Sequence, residues 1–230
     1  MKKIYEYVIW DWNGTILDDA WLCVDIVNAL LRKRDLPEID LDKYQDKFDF
    51  PVKNYYEKLG FNFAKEPFEI PAYEFVTEYN RRRSECELQE GAKGLISHLE
   101  NIGIVQFILS ACQQEELERA VDHYSIRRYF KKVYGLDNHY ADSKIAIGKK
   151  LMKRIELQGG QVILVGDTTH DYFVSEELGI DCILIPGGHQ KKEKLIGCGA
   201  KVVDKLNEIK HLTTQSNGPY PVAFGVGSDR

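Results

Sequence analysis

No stretch of this chain stays apolar long enough to cross a membrane. Behind Met1-Lys2-Lys3, the charges of Glu6 and Asp11 interrupt the first hydrophobic run, which also argues against a signal peptide. Cysteine is scarce. Cys23, Cys86, Cys112, Cys182 and Cys198 make an odd set of five with no CxxC spacing. That points away from a disulfide or zinc framework and toward a reduced, cytoplasmic protein. Positive charge is in deficit too, with 31 Lys and Arg against 36 Asp and Glu and a net charge of −5. Nothing electrostatic therefore favours nucleic acid or an anionic membrane as a partner. There are no internal repeats. A length of 230 residues suffices for one α/β core, alone or with a smaller insertion.

What is present begins with an apolar run, Tyr5 to Trp10, of the kind expected in a parallel strand covered on both faces. From Asp19 to Arg34, Leu22, Ile26, Val27, Leu30 and Leu31 recur at helical spacing, and Leu36-Pro37 closes that helix. Residues 40–84 carry short helical patterns broken at Phe50-Pro51, Gly60, Pro67 and Pro71, and no strand. This stretch is rich in Tyr and Phe, which predicts a small helical core with some rings facing a cleft.

After Gly91 the pattern alternates. It predicts a helix over 92–101, a strand over 104–109 ending at Ser110, a helix over 114–124 and a short strand at Val133-Tyr134. A helix over 143–155, a strand ending at Asp167, a helix over 172–178, a strand over 182–185 and a helix over 204–211 follow. Strand and helix in alternation mean a doubly wound parallel α/β sheet. The first crossover is far longer than a crossover needs. The expected organisation is a core of residues 1–17 and 89–212, a helical cap of 18–88 inserted after the first strand, and a flexible tail of 213–230.

Two strands end in carboxylates: Val8-Ile9-Trp10-Asp11, and Val162-Ile163-Leu164-Val165-Gly166-Asp167 with Asp171 four residues on. The C-terminal edge of such a sheet is where these folds place ligands. Three carboxylates converging there cannot all ionise without a cation, and hard oxygen donors suit Mg²⁺. Ser110 and Lys144 reach the same edge, and a hydroxyl with an ammonium suits the oxygens of a phosphate. A carboxylate beside them can attack phosphorus. Taken singly, each has a plainer reading: Asp171 as a helix cap, Ser110 as a small strand-end residue, Lys144 as one of several lysines on a solvated helix. His170 and His189 read as local hydrogen-bonding residues, Arg81-Arg82-Arg83 as a solvated face, and Lys53 as a candidate for substrate recognition.

In order and spacing, Asp11-Trp12-Asn13-Gly14-Thr15, Ile108-Leu109-Ser110, Lys144 and Gly166-Asp167-Thr168-Thr169-His170-Asp171 resemble the four motifs of the haloacid dehalogenase superfamily of phosphohydrolases, over residues 4 to 205. The subgroup is similar to the C1-capped, phosphoglycolate-phosphatase-like members. The resemblance implies Asp11 as nucleophile and metal ligand, with the backbone carbonyl of Asn13, Asp167 and Asp171 completing the protein's share of a Mg²⁺ site. It implies Gly14, Thr15, Ser110 and Lys144 as phosphate-binding positions, with Lys144 also neutralising the transition state. The substrate implied is a small phosphorylated metabolite, and the protein a monomer or homodimer.

One position departs from the family. Where the motif has a second Asp, the proton carrier for the leaving oxygen, this chain has Asn13, which exchanges no proton near neutral pH. General acid–base assistance is worth about 10² to 10⁴ in rate. The expectation is a Mg²⁺-dependent phosphatase that turns over slowly unless another group replaces the carrier. The alternatives are a catalytically impaired relative that binds a phosphorylated ligand or partner, and a metal-independent haloacid dehalogenase, against which Asp167 and Asp171 argue. Asn13-Gly14 is also a deamidation-prone pair, because glycine does not hinder backbone attack on the amide.

Overall fold

The computed structural model describes residues 2–3, 5–136, 144–156 and 159–215. Its strands in chain order are β1 (Lys2–Lys3), β2 (Tyr7–Trp10), β3 (Leu17–Asp18), β4 (Glu87–Leu88) and β5 (Val105–Gln113). They continue with β6 (Lys132–Leu136), β7 (Val162–Gly166), β8 (Asp181–Leu184), β9 (Lys201–Val202) and β10 (Thr214–Gln215). The helices are α1 (Ala20–Arg32), α2 (Leu41–Lys47), α3 (Val52–Lys58), α4 (Glu69–Arg82) and α5 (Ala92–Asn101). After them come α6 (Gln114–His123), α7 (Lys144–Glu156), α8 (Thr169–Leu178), α9 (Lys192–Gly197) and α10 (Ile209–Thr213).

Six strands form one sheet in the order β6-β5-β2-β7-β8-β9, every neighbouring pair parallel. The near-continuous apolar runs have their cause here, since β2 and β7 are buried at every residue. Side chains alternate between the two faces. Val8, Trp10, Ile163 and Val165 join one hydrophobic cluster, and Tyr7, Ile9, Leu164 and Phe107 the other. From β2 the chain first builds outward through β5 and β6, then crosses to β7 on the other side. The strand order therefore reverses beside β2, and the crevice above it is the place such sheets offer to a ligand.

Helices α1 to α4 occupy the long first crossover, and α1 packs against α4. They bury a third cluster that includes Cys23, Val27, Tyr44, Tyr55, Tyr56 and Phe61. The antiparallel pair β3–β4 closes the base of this insertion. Two-residue strands carry no periodicity, so neither this ribbon nor β9 is legible in the sequence, and the six-residue α9 is too short to show a helical repeat.

Several boundaries differ from expectation. Helix α1 stops at Arg32, ahead of Leu36-Pro37, where Asp35 adopts a left-handed φ of 54°. Strand β5 runs on past Ser110 to Gln113, because its register against β6 shifts between Leu109 and Gln113. Helix α8 starts at Thr169, and the closing helix is a short turn over 206–208 followed by α10. Of the expected tail 213–230, Thr213 ends α10 and Thr214–Gln215 form β10, paired antiparallel with β1, because the short β1 strand offers them backbone partners; the rest from 216 onward, like the expected start of α7 at Ser143, lies outside the described residues.

Candidate active site

Asp11 directly follows β2 and Asp167 directly follows β7, adjacent parallel strands, so their carboxylates rise side by side. Asp171 reaches them from the first turn of α8. One oxygen from each of the three lies within 4.8 Å of the others. Lys144, the first residue of α7, is buried among them, its Nζ donating to Asp11 Oδ1 at 2.6 Å and to Asp171 Oδ1 at 2.5 Å. The other oxygen of Asp171 accepts from the backbone N–H and hydroxyl of Thr168 and from Asp167 N–H. Asp171 thus caps α8 and faces the cluster at once, so the cap reading of it does not exclude a place in the cluster.

Burial disfavours every charge here, and neighbours decide which survive. It drives the Asp11 carboxyl up to about 6 against the pull of Lys144, and Asp167 up to about 7 against the pull of His189. Asp171 is equally buried, yet Lys144 and the Thr168 bonds hold it below the usual carboxylate range. Burial opposes the Lys144 ammonium too, and Asp11 and Asp171 more than offset that, so it stays charged. Three carboxylates with one fixed cation form a site short of positive charge.

The Asn13 side chain turns away from this cluster. Its Nδ2 donates to Asp19 Oδ2 at 2.7 Å and to the Tyr79 hydroxyl at 2.6 Å. Asp19 sits where an N-cap of α1 belongs, but its side chain makes no cap bond. Instead it folds back and also accepts from Gly14 N–H at 2.8 Å and from Tyr79 OH at 2.6 Å. His189 Nε2 lies 3.3 Å from Asp19 Oδ1, and His189 Nδ1 lies 2.9 Å from the Tyr44 hydroxyl. Burial alone would lower the His189 pKa, but Asp19 raises it to about 9, while His189 in turn holds Asp19 low against its burial.

The sequence does not mark Asp19, and it marks Tyr44 and Tyr79 only as members of the ring-rich stretch and His189 as a local hydrogen-bonding residue. A signal existed: an Asp pair directly behind buried Ile16 and Leu17 has to place one carboxylate inside. Nothing in one dimension said that its partners would be Asn13 and His189.

The remaining expected residues divide. Ser110 is buried at the cavity wall, where its Oγ accepts from Cys112 N–H at 3.1 Å. The Thr15 hydroxyl, assigned to phosphate, donates to Asp167 Oδ1 at 3.0 Å, and Gly14 N–H is taken by Asp19. Gly14 has φ +70°, and a Cβ there would overlap the Asp167 carboxylate. Lys53 is exposed over the Phe63 ring and does not line the cavity. Arg82 pairs with Asp25 and Glu85, and Arg83 with Glu116. Above the carboxylates, between sheet and insertion, the cavity measures about 420 Å³. Ser110, Ala111 and Cys112 form part of its wall, exposed to it by the irregular register of β5.

Among solved structures, a haloacid dehalogenase-like family hydrolase from Streptococcus pneumoniae superposes with a TM-score of 0.77 at 16% identity, covering 91% of this chain and 99% of its own. A predicted phosphatase from Clostridium acetobutylicum gives 0.72 at 20% identity over 90% and 96% of the two chains. A predicted phosphoglycolate phosphatase from Haemophilus somnus gives 0.72 at 15% over 91% and 98%. At such identities these likenesses establish the fold. No curated protein matches the sequence. Within the described residues no helix is long and apolar enough to cross a membrane. The sequence match is to the family of haloacid dehalogenase-like hydrolases over residues 8–185, which contain all four motifs. The chain belongs to that family.

Proposed function

We propose that the protein is a Mg²⁺-dependent phosphatase that passes the phosphoryl group of a small phosphate monoester through Asp11. One observation carries this reading: Asp11, Asp167 and Asp171 meet around Lys144 at the sheet's switch point. The donor set fits a divalent cation. Asp11 and Asp167 are pushed toward neutrality by burial, and a hard cation favours oxygen donors in their ionised form. Asp11, Asp167, Asp171 and the Asn13 carbonyl would hold Mg²⁺, which would neutralise charge on the phosphoryl oxygens.

The chain's own groups do the rest. Asp11 is the most accessible of the three carboxylates and serves as nucleophile. Lys144 holds Asp11 Oδ1 in place and meets the charge that develops in transfer. Ser110 offers its hydroxyl at the cavity wall. Thr15 and Gly14, which the motif assigns to phosphate, also bond to Asp167 and Asp19 and so hold the turn in place. Asn13 cannot carry the proton, and its bonds to Asp19 and Tyr79 keep its amide fixed.

Phosphate release from p-nitrophenyl phosphate, with and without Mg²⁺ and in Asp11→Ala, tests the reading. Release should require Mg²⁺ and vanish in Asp11→Ala; release surviving either change would refute it. The locked amide of Asn13 favours a second reading, a relative that binds phosphorylated ligand with little turnover. A stoichiometric burst followed by near-zero turnover supports that one, whereas rapid multiple turnover removes it.

A further inference from the structure

The upper part of the cavity is built unlike its floor. Around the carboxylates it is polar, but toward the insertion the wall is made of rings, among them Tyr44, Phe48, Phe50, Tyr55, Tyr56 and Phe75. Phe48 packs against Phe50, Tyr44 and Tyr55 at centroid distances of 5.3 to 5.4 Å, so these rings form one connected surface.

Among the described residues, no cation lines it without a carboxylate partner, the charged His189 being held by Asp19. Among the described lining residues there is no arginine and one lysine, Lys144, whose bonds go to Asp11 and Asp171. His189 faces Asp19, and His170, with its basicity lowered by burial, stacks on Phe50 at 4.7 Å. A second anionic group on a ligand would therefore be desolvated here without a counter-charge, beside the Asp19 carboxylate, and that is strongly unfavourable.

Two further features narrow the ligand. Tyr55 lines the cavity with 1% exposure, and its buried hydroxyl has no hydrogen-bond partner among the described residues. Buried hydroxyls are ordinarily paired, so a polar atom of the ligand is the natural complement. Asn13, for its part, provides no proton to the leaving oxygen. A phenolic oxygen departs without one far more readily than an alkoxide does.

Resting on the phosphatase reading above, we infer that the substrate is a small phosphate monoester of an uncharged aryl alcohol, its ring seated among Phe48, Phe50 and Phe75 and one polar substituent meeting Tyr55. In the reaction a carboxylate oxygen of Asp11 bonds to phosphorus as the bond from phosphorus to the aryl oxygen breaks. The electron pair leaves on that oxygen, and the phenolate takes its proton from solvent afterwards. Water then attacks phosphorus, the bond to Asp11 breaks, and dihydrogen phosphate departs from a regenerated carboxylate.

Two measurements on the Mg²⁺-loaded protein decide this. The first compares kcat/KM for phenyl phosphate, cyclohexylmethyl phosphate and 2-phosphoglycolate. Phenyl phosphate should lead each by about 10²-fold or more, the scale of the missing acid assistance. A preference for 2-phosphoglycolate overturns the substrate class while leaving the phosphatase reading intact. The second compares calorimetric affinity for benzylphosphonate and phosphonoacetate, inert carriers of a ring and of a carboxylate. Benzylphosphonate should bind about 10- to 100-fold tighter, the range for burying one apolar side-chain-sized group.

If no ester yields Asp11-dependent phosphate, the phosphatase reading fails, and this binding ratio still rules on the ligand class; equal affinities overturn it. Phe48→Ala should cut benzylphosphonate affinity about tenfold more than phosphonoacetate affinity. Tyr55→Phe, which removes only the hydroxyl, should abolish any preference for 4-hydroxyphenyl over phenyl phosphate, and retention of that preference excludes Tyr55 from recognition.

Discussion

Asp19 accepts from Asn13, Gly14 and Tyr79 and faces His189, so one buried carboxylate fixes the turn that follows Asp11, the proposed nucleophile. The consequence for Asn13 is chemical. Deamidation needs the Gly14 nitrogen to swing onto the Asn13 amide carbon, and Asp19 holds both groups. Folded protein should show no one-dalton gain at Asn13 in peptide mapping over days, while urea-unfolded protein should; equal rates would show that the turn gives no protection. A second prediction concerns the raised carboxylates. Asp11 and Asp167 titrate near 6 and 7 when folded, against about 3.9 unfolded. Their protonation therefore stabilises the fold fully below about pH 4, and that contribution is lost as pH rises through 6 to 7. A divalent cation offsets the loss only once both are ionised. The Mg²⁺-induced rise in Tm should be small at pH 5 and large at pH 8, and a pH-independent rise would contradict the proposed ligands.

At the scale of elements, the turn after β2 locks against the end of β7 and the loop after β8, through Asp167 and His189 respectively. Gly14 lies against the Asp167 carboxylate with no room for a Cβ, and its φ of +70° strains any other residue. Gly14→Ala should leave a folded protein that has lost its Mg²⁺-induced Tm shift. The β8–α9 loop also carries hydrogen bonds to the insertion: His189 bonds with Tyr44, the Gly188 carbonyl accepts from Gln45, and Gln190 donates to the Phe48 carbonyl. Removing His189 leaves the Asp19 charge buried without its partner, so His189→Ala should cost about 3–5 kcal/mol in chemical denaturation. His189→Gln should cost less. Because the folded pKa of His189 is raised to about 9, its contribution is complete below about pH 6.5. The gap between wild type and His189→Gln should close as pH rises through 9.

Across the whole molecule, α1 belongs to two cores at once. Leu22 and Ile26 pack with the sheet, whereas Cys23, Val27 and Leu30 pack inside the helical insertion. A shared helix couples the two, and thermal unfolding should be a single transition with fluorescence and far-UV circular dichroism coincident. Separate melting of the insertion would show that α1 does not transmit stability. Leu22, fully buried on the sheet side, is the sensitive point. Leu22→Ala should destabilise both cores together by about 2–5 kcal/mol.

Parallel strands buried on both faces must be apolar throughout, and carboxylates at their ends must face the ligand edge. The sequence alone therefore determined the doubly wound sheet, the long helical crossover and the meeting of Asp11, Lys144, Asp167 and Asp171, since these follow from local periodicity and strand order. Only the tertiary structure decided what surrounds them. That Thr15 serves Asp167, that Asn13 is bound by Asp19 and Tyr79, and that His189 is charged depend on side chains brought together from four separate segments. So does the ring-lined, cation-poor wall above the carboxylates. Contacts of that kind are set by packing in three dimensions, and no spacing along the chain records them.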